Sequence, residues 1–231
     1  MFRSVTFPVA ADRYAAVMPR DTGSEVDPLP DLRPTTWAVL GLLSFGEELS
    51  GYDLKKWADW SLRFFYWAPS YSQIYGELRK LESLGFATSR VVNKDDVRGK
   101  RLYRITPEGE SVVARWAAEA PVEPAVLKHG VMLRMWLGHA SDPRLLRSML
   151  EQHRDESEKM RIRALADAEG AAEEPGWAFP ELVLRWSERY YADERDRAEQ
   201  MLAELDEAVR KRSRSRGSAR RSSAQLRQHR A

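Results

Sequence analysis

The chain has no cysteine among its 231 residues. That absence excludes disulfides, thiolate metal centres and cysteine nucleophiles together. Long apolar runs are missing too. Nothing approaches the roughly 18 consecutive apolar residues of a membrane span, and Pro8, Asp12 and Arg13 interrupt any signal-peptide core. The expectation is a soluble, cytoplasmic protein with no membrane partner. Catalytic signatures are equally scarce: G-x-S-x-G, G-x-x-x-x-G-K-[ST] and G-x-G-x-x-G do not occur. The histidines at 129, 139, 153 and 229 are scattered, without metal-ligand spacing. His153 sits on an apolar stripe and reads as a satisfied interface histidine. No enzyme, metal site or cofactor is expected.

Acidic residues are absent from one segment. Arg210 to Ala231 carries nine basic residues and no acid, which leaves 28 basic against 35 acidic residues, or −7, in the body. The overall +2 therefore hides an uneven charge. Inside the acidic body, Arg90 to Arg104 holds six basic residues against Asp95 and Asp96, a local +4. A positive spot on an acidic protein suits a nucleic-acid contact surface.

What is present is concentrated in residues 34–116. Pro34 is tolerated in a first helical turn, and Thr36 to Ser44 is an apolar, helix-length run. Ser50-Gly51-Tyr52-Asp53-Leu54 opens a second helix, expected to reach about Phe65. Ser70-x-x-Gln73 is a capping box, in which each side chain satisfies an orphan N–H of a helix start. Ile74, Leu78 and Leu81 give that third helix one buried side, and Gly85 stops it. Two strand-like runs follow, Phe86 to Asn93 and Arg101 to Thr106, around a polar turn. Thr106-Pro107 then caps a fourth helix with Val112, Val113 and Trp116 on its apolar side. Helix, helix, capped helix, hairpin, helix is the order of a winged helix-turn-helix.

The blocks LGLLSFGEELSGYDL, SQIYGELRKLESLGF and RGKRLYRITPEG resemble the signature segments of PadR-type transcriptional regulators. Two positions depart from that pattern. Ser72 stands where the family usually has glycine, and Tyr71 where it usually has proline. Both lie at the start of the helix that would enter a DNA groove, so they bear on which sequence is read. The resemblance implies double-stranded DNA as partner, a homodimer built on a C-terminal helical region, and repression rather than activation. It also implies response to a small planar hydrophobic effector of phenolic or drug-like kind. The aromatic run Trp57, Trp60, Phe64, Phe65, Tyr66 and Trp67 reads either as core or as the lining of such an effector's pocket.

The fold class expected is mainly α with a small β-hairpin wing, followed by an antiparallel helical dimerisation domain. Residues 1–33 read as a flexible arm, or as sequence upstream of a start at Met18. Residues 34–120 form the winged helix, 121–210 the helical domain, and 211–231 a disordered basic tail that either stays solvated or binds phosphates. Helices are expected over about 124–138, 142–169 and 181–210. The last carries the stripe Val183, Trp186, Tyr190, Glu194, Ala198, Met201, Leu205 and Ala208. Val183, Trp186, Tyr190, Met201 and Leu205 are its candidate dimer contacts. For DNA, Ser70, Tyr71, Ser72, Gln73, Tyr75 and Arg79 form the candidate reading surface. Gln73 suits adenine unless its amide is spent on capping, and Arg79 suits guanine or phosphate. Lys94, Arg98, Lys100 and Arg101 of the wing are the phosphate candidates, with Arg101 or Tyr103 structural instead. The alternative is a winged-helix protein–protein adaptor that does not bind DNA specifically.

Overall fold

A computed structural model of the chain describes residues 28–46, 48–92, 99–122 and 124–228, with side chains as far as Lys211. Lys94, Arg98 and most of the expected N-terminal arm lie outside these residues. The helices are α1 (Pro34–Leu43), α2 (Gly51–Trp60), α3 (Tyr71–Ser83), α4 (Pro107–Glu119), α5 (Gly130–Trp136), α6 (Pro143–Ala172) and α7 (Ala178–Gln228). The strands are β1 (Ala87–Val92) and β2 (Lys100–Ile105). No helix among the described residues is long and apolar enough to cross a membrane. Two compact units result: residues 1–124 with 166–184, and residues 125–165 with 185–231.

In the first unit α1 is the central element. Its apolar residues are not confined to one stripe, and Thr36, Trp37, Val39, Leu40, Leu42 and Leu43 are all buried, as a helix surrounded by partners requires. It packs on α2, α3, α4 and β2. Leu54 of α2 and Ile74, Leu78 and Leu81 of α3 are fully buried in the same core. The hairpin is antiparallel, with Ala87 opposite Ile105 and Val92 opposite Lys100. Leu49 adds a short third rung by exchanging backbone bonds of 2.9 and 2.8 Å with Tyr103. That rung ties the wing to the α1–α2 connection, and nothing in the local sequence around Leu49 announces it.

Several boundaries differ from those expected. The second helix ends at Trp60 and passes into a 3₁₀ turn over Leu62–Phe64 instead of reaching Phe65. The described part of the expected arm turns inward, for Leu32 is buried. The aromatic run divides. Trp57 packs with Phe45, and both Trp57 and Trp60 pack with Trp177, whose ring lies 4.9 Å from Trp60 and 5.2 Å from Phe45, so they serve the core. Phe65, Tyr66 and Trp67 remain exposed.

In the second unit the first expected helix shrinks to α5. Residues 124–129 are not helical, and the helix starts only after His129, which takes the N-cap conformation and whose Nδ1 accepts the Met132 N–H. α6 and α7 lie side by side and run in opposite directions. Arg161 bonds Glu188, Arg154 bonds Glu199, and Arg147 bonds Asp206, so rising numbers on α6 meet falling numbers on α7. The buried side of α6 is Leu146, Leu150, Ser157 and Ala164, and that of α7 is Ser187, Glu194, Ala198 and Leu202. The stripe read from sequence is thus displaced at its start. Trp186 is exposed, and the small residue Ser187 takes the inner position, where a hydrophobicity count overlooks it. Beyond Lys211 the chain continues as helix to Gln228, where a disordered tail is expected. Arginine, alanine and glutamine are good helix formers that propagate a helix already nucleated by packing.

The α6–α7 pairing is pH-sensitive at Glu158. A hydrogen bond from Arg161, acting against burial and joined by Arg195, pulls its carboxyl down from 4.5 to about 2. A depressed carboxylate contributes stability above its unfolded value and loses it as pH falls through the folded one. The melting temperature is therefore expected to drop between pH 4.5 and about 2. Glu158→Gln should flatten that part of the circular-dichroism melting profile. The effect is small, since the side chain is one-third exposed.

Candidate nucleic-acid interface

The start of α3 is built by its cap. Ser70 Oγ accepts the Gln73 N–H at 3.3 Å, and Gln73 Oε1 accepts the Ser70 N–H at 2.8 Å. The Gln73 carbonyl is therefore committed to the cap, which displaces the bidentate adenine contact considered from sequence. The hydroxyl of Ser72 lies 3.1 Å from that of Ser70. With Ile74, Leu78 and Leu81 turned inward, Tyr71, Ser72, Tyr75 and Arg79 are left on the exposed side of the helix.

Two of these side chains are held by α2. Tyr71 stacks on Tyr52 at 6.3 Å and 17°. The ring of Tyr75 lies over Gly51, where an added Cβ would come within 2.5 Å of it. Both aromatic rings are thus oriented before any partner arrives, while Arg79 sits one turn further along the same face. Glu77 points the other way and accepts a 2.6 Å bond from the buried Thr36 hydroxyl, joining α3 to α1.

The wing differs from its reading in sequence. Arg90 bonds Glu48 through Nε at 3.0 Å, with Arg104 3.8 Å from the same carboxylate. Lys100 lies 3.1 Å from Asp53, and Arg101 lies 4.0 Å from Glu82 while donating to Ser89 at 3.3 Å. The Arg90 hydrogen bond, opposed by partial burial, keeps the Glu48 carboxyl below its ordinary range. At Asp53 burial acts against the carboxylate, yet two bonds from Ser50 and the nearby Lys100 hold its pKa low. Counting Glu48, Asp53 and Glu82 with the wing reduces its local charge from +4 to +1. Tyr103 is buried, so in the β2 pair Tyr103 is structural and Arg101 is exposed.

These ion pairs are exposed on the cationic side, and such pairs contribute only about 0–1 kcal/mol. A phosphate can replace the carboxylate at little cost. Glu48→Gln should therefore tighten binding to any DNA and steepen its salt dependence, because Arg90 and Arg104 become available to neutralise phosphates. Fluorescence anisotropy over a salt series checks this, and an unchanged slope would show that neither arginine reaches the backbone.

The second unit's candidates are arranged differently. Trp186 is exposed, as is Val183 in the first unit, whereas Tyr190, Met201 and Leu205 are half-buried within their own chain. Met201 and Leu205 line a cavity with Met135 and Leu146. The histidines that the sequence separates are not all apart: His129 and His153 converge on Glu194.

Comparison with known proteins accords with this architecture. Residues 39–115 match the model of the transcriptional regulator PadR-like family. The chain is 35% identical over 105 residues to the negative transcriptional regulator PadR of Bacillus subtilis, an alignment covering 46% of this chain and 57% of that one. It thus spans little more than half the length of that curated relative. Structurally, it resembles Bacillus subtilis PadR solved in complex with operator DNA (TM-score 0.64, 25% identity, 75% of this chain and 99% of that chain). The same regulator solved with p-coumaric acid is similar over 76% of this chain and 98% of that chain (TM-score 0.58, 25% identity). Through its winged-helix segment the chain is similar to the PadR-like family of transcriptional regulators.

Proposed function

We propose that this protein is a cytoplasmic, homodimeric repressor that binds a pseudo-palindromic DNA operator and releases it on binding a small planar hydrophobic effector. The observation that carries the reading is the outer face of α3. A capped helix holds Tyr71, Ser72, Tyr75 and Arg79 clear of the core, with Tyr71 and Tyr75 braced by α2. Its fold is shared with a regulator solved on operator DNA. In the helix-turn-helix mode such a helix enters the major groove, and a dimer reads two half-sites about one helical turn apart. Arg79 reads guanine or grips phosphate, Ser72 and Tyr75 meet base edges, and Lys100 and Arg101 set the register on the backbone.

The effector is supported by the relative solved with p-coumaric acid. In the second unit a cavity of about 660 Å³ has the apolar lining with few polar groups that such molecules favour. Met135, Leu146, Met201 and Leu205 form its walls, with His139, Ser141 and Glu204 as polar members.

The test is to sequence the genomic fragments retained by the purified protein, then measure their release by a panel of phenolic acids. A shared inverted repeat supports the reading. The near-neutral wing favours the adaptor alternative, and recovery of fragments with no common motif would decide for it.

A further inference from the structure

Three side chains with no part in DNA binding meet inside the second unit. His129 precedes α5, His153 lies on α6 and Glu194 on the buried side of α7. His129 Nε2 is 2.8 Å and His153 Nε2 is 3.1 Å from one carboxylate oxygen, Oε1 of Glu194. The imidazole rings meet at 62° with centroids 5.0 Å apart. One donor atom from each residue lies within 4.8 Å of the others, and no side chain of the three is more than 23% exposed.

We propose that His129, His153 and Glu194 form a binding site for a divalent transition-metal ion such as zinc(II). Two imidazoles and one carboxylate are a donor set that zinc and its neighbours accept. Bonds of about 2.0–2.1 Å at tetrahedral angles put ligand atoms about 3.3 Å apart. The two histidine–glutamate separations of 2.8 and 3.1 Å are short of that by a few tenths of an ångström, and the histidine donor atoms lie within 4.8 Å of each other, so small ring movements close the set on an ion. A hydrogen-bonded network would also bury this glutamate, but it does not need the adjoining space. A cavity of about 480 Å³, lined also by Tyr190, Tyr191 and Met149, opens beside the three groups. It leaves a fourth coordination position for water or an exogenous donor.

Two neighbours tune the site. Arg197 lies 3.5 Å from the other Glu194 oxygen, so it holds the carboxylate and draws on its charge. His129 Nδ1 accepts the Met132 N–H at 3.4 Å, which places the ring proton of the neutral imidazole on Nε2. Coordination through Nε2 shifts that proton to Nδ1 and gives up this long capping bond. The exchange of tautomers is a signature that an unoccupied network lacks.

The experiment titrates zinc(II) into the full-length, chelator-stripped protein against a chromophoric chelator, with cobalt(II) as spectroscopic probe. One ion per chain is expected, with visible d–d bands of four- or five-coordinate cobalt and an Nδ1–H tautomer for His129 by ¹⁵N NMR. His153→Ala and Glu194→Gln should each weaken binding at least as much as the roughly 10–100-fold typical of an outer-shell partner. His139→Ala should leave it unchanged. Circular dichroism monitors folding, and Glu194→Gln retains a carbonyl acceptor for the histidines should His153→Ala unfold the unit. Failure of the wild type to take up zinc, or uptake undiminished in Glu194→Gln and His153→Ala, overturns the proposal. No DNA enters the assay, so its failure leaves the repressor reading untouched.

Discussion

Replacing Tyr75 and Arg79 with alanine is expected to lower operator affinity on the order of 10² to 10⁴-fold. Each base contact is worth about 1–3 kcal/mol, and every 1.4 kcal/mol is tenfold. Neither side chain belongs to the Ile74, Leu78, Leu81 core of α3, so the winged helix should keep its fold. Mobility shifts on the operator and on random duplexes separate the possible roles. If Arg79 reads a base, Arg79→Ala alone should relax sequence preference at one position in each half-site. If it grips phosphate, all sequences should weaken alike and the salt slope should fall by about one. Gly51→Ala supplies an independent probe, since the new Cβ must push the Tyr75 ring aside without removing it. It should reproduce part of the Tyr75 loss. An operator affinity unchanged in the double variant would remove α3 from the reading surface.

Local chemistry made this part of the molecule legible. Capping boxes, turn glycines and period-matched apolar positions are written within a few residues of where they act, and α3 with its cap lies where they place it. Even the dual use of Gln73 could be posed from the sequence, because the capping box and the adenine contact require the same amide oxygen. Contacts between distant residues were not legible. Glu48, Asp53 and Glu82 face the wing only after α1, α2, α3 and the hairpin pack, so a charge count along the wing overstates its field. Trp177 occupies a segment that reads as a Pro/Gly break, and it joins the core through Phe45, Trp57 and Trp60, over a hundred residues earlier. The second unit obeys the same logic. Small residues such as Ser157, Ala164, Ser187 and Ala198 mark where two helices approach closely, and they carry little weight in a hydrophobicity pattern. Glu194, which looks like an interruption of the α7 stripe, is explained by two histidines on other segments.

The same distinction decides where the proposed dimer should be broken. Met201 and Leu205, nominated by the stripe, are half-buried against their own chain beside Met135 and Leu146. Converting them to aspartate would place charge on the apolar wall of that cavity, so that variant should lower the melting temperature of the helical unit. The exposed apolar side chains lie elsewhere. Leu133, Trp136 and Leu137 follow one another at helical spacing along α5 and its exit, with Trp136 80% and Leu133 61% exposed. Large exposed apolar groups in one place mark an interaction surface. Leu133→Asp with Trp136→Asp is therefore expected to give a monomer with an intact winged helix. Loss of the dimer removes the intramolecular advantage of the second half-site, about 10² to 10⁴-fold in operator affinity, while weak nonspecific binding persists. Sedimentation velocity and anisotropy on whole and half operators measure both effects. A variant that remains dimeric would move the interface to other exposed apolar positions, among them Val183 and Trp186 of α7, where Trp186→Asp is the next substitution to sediment.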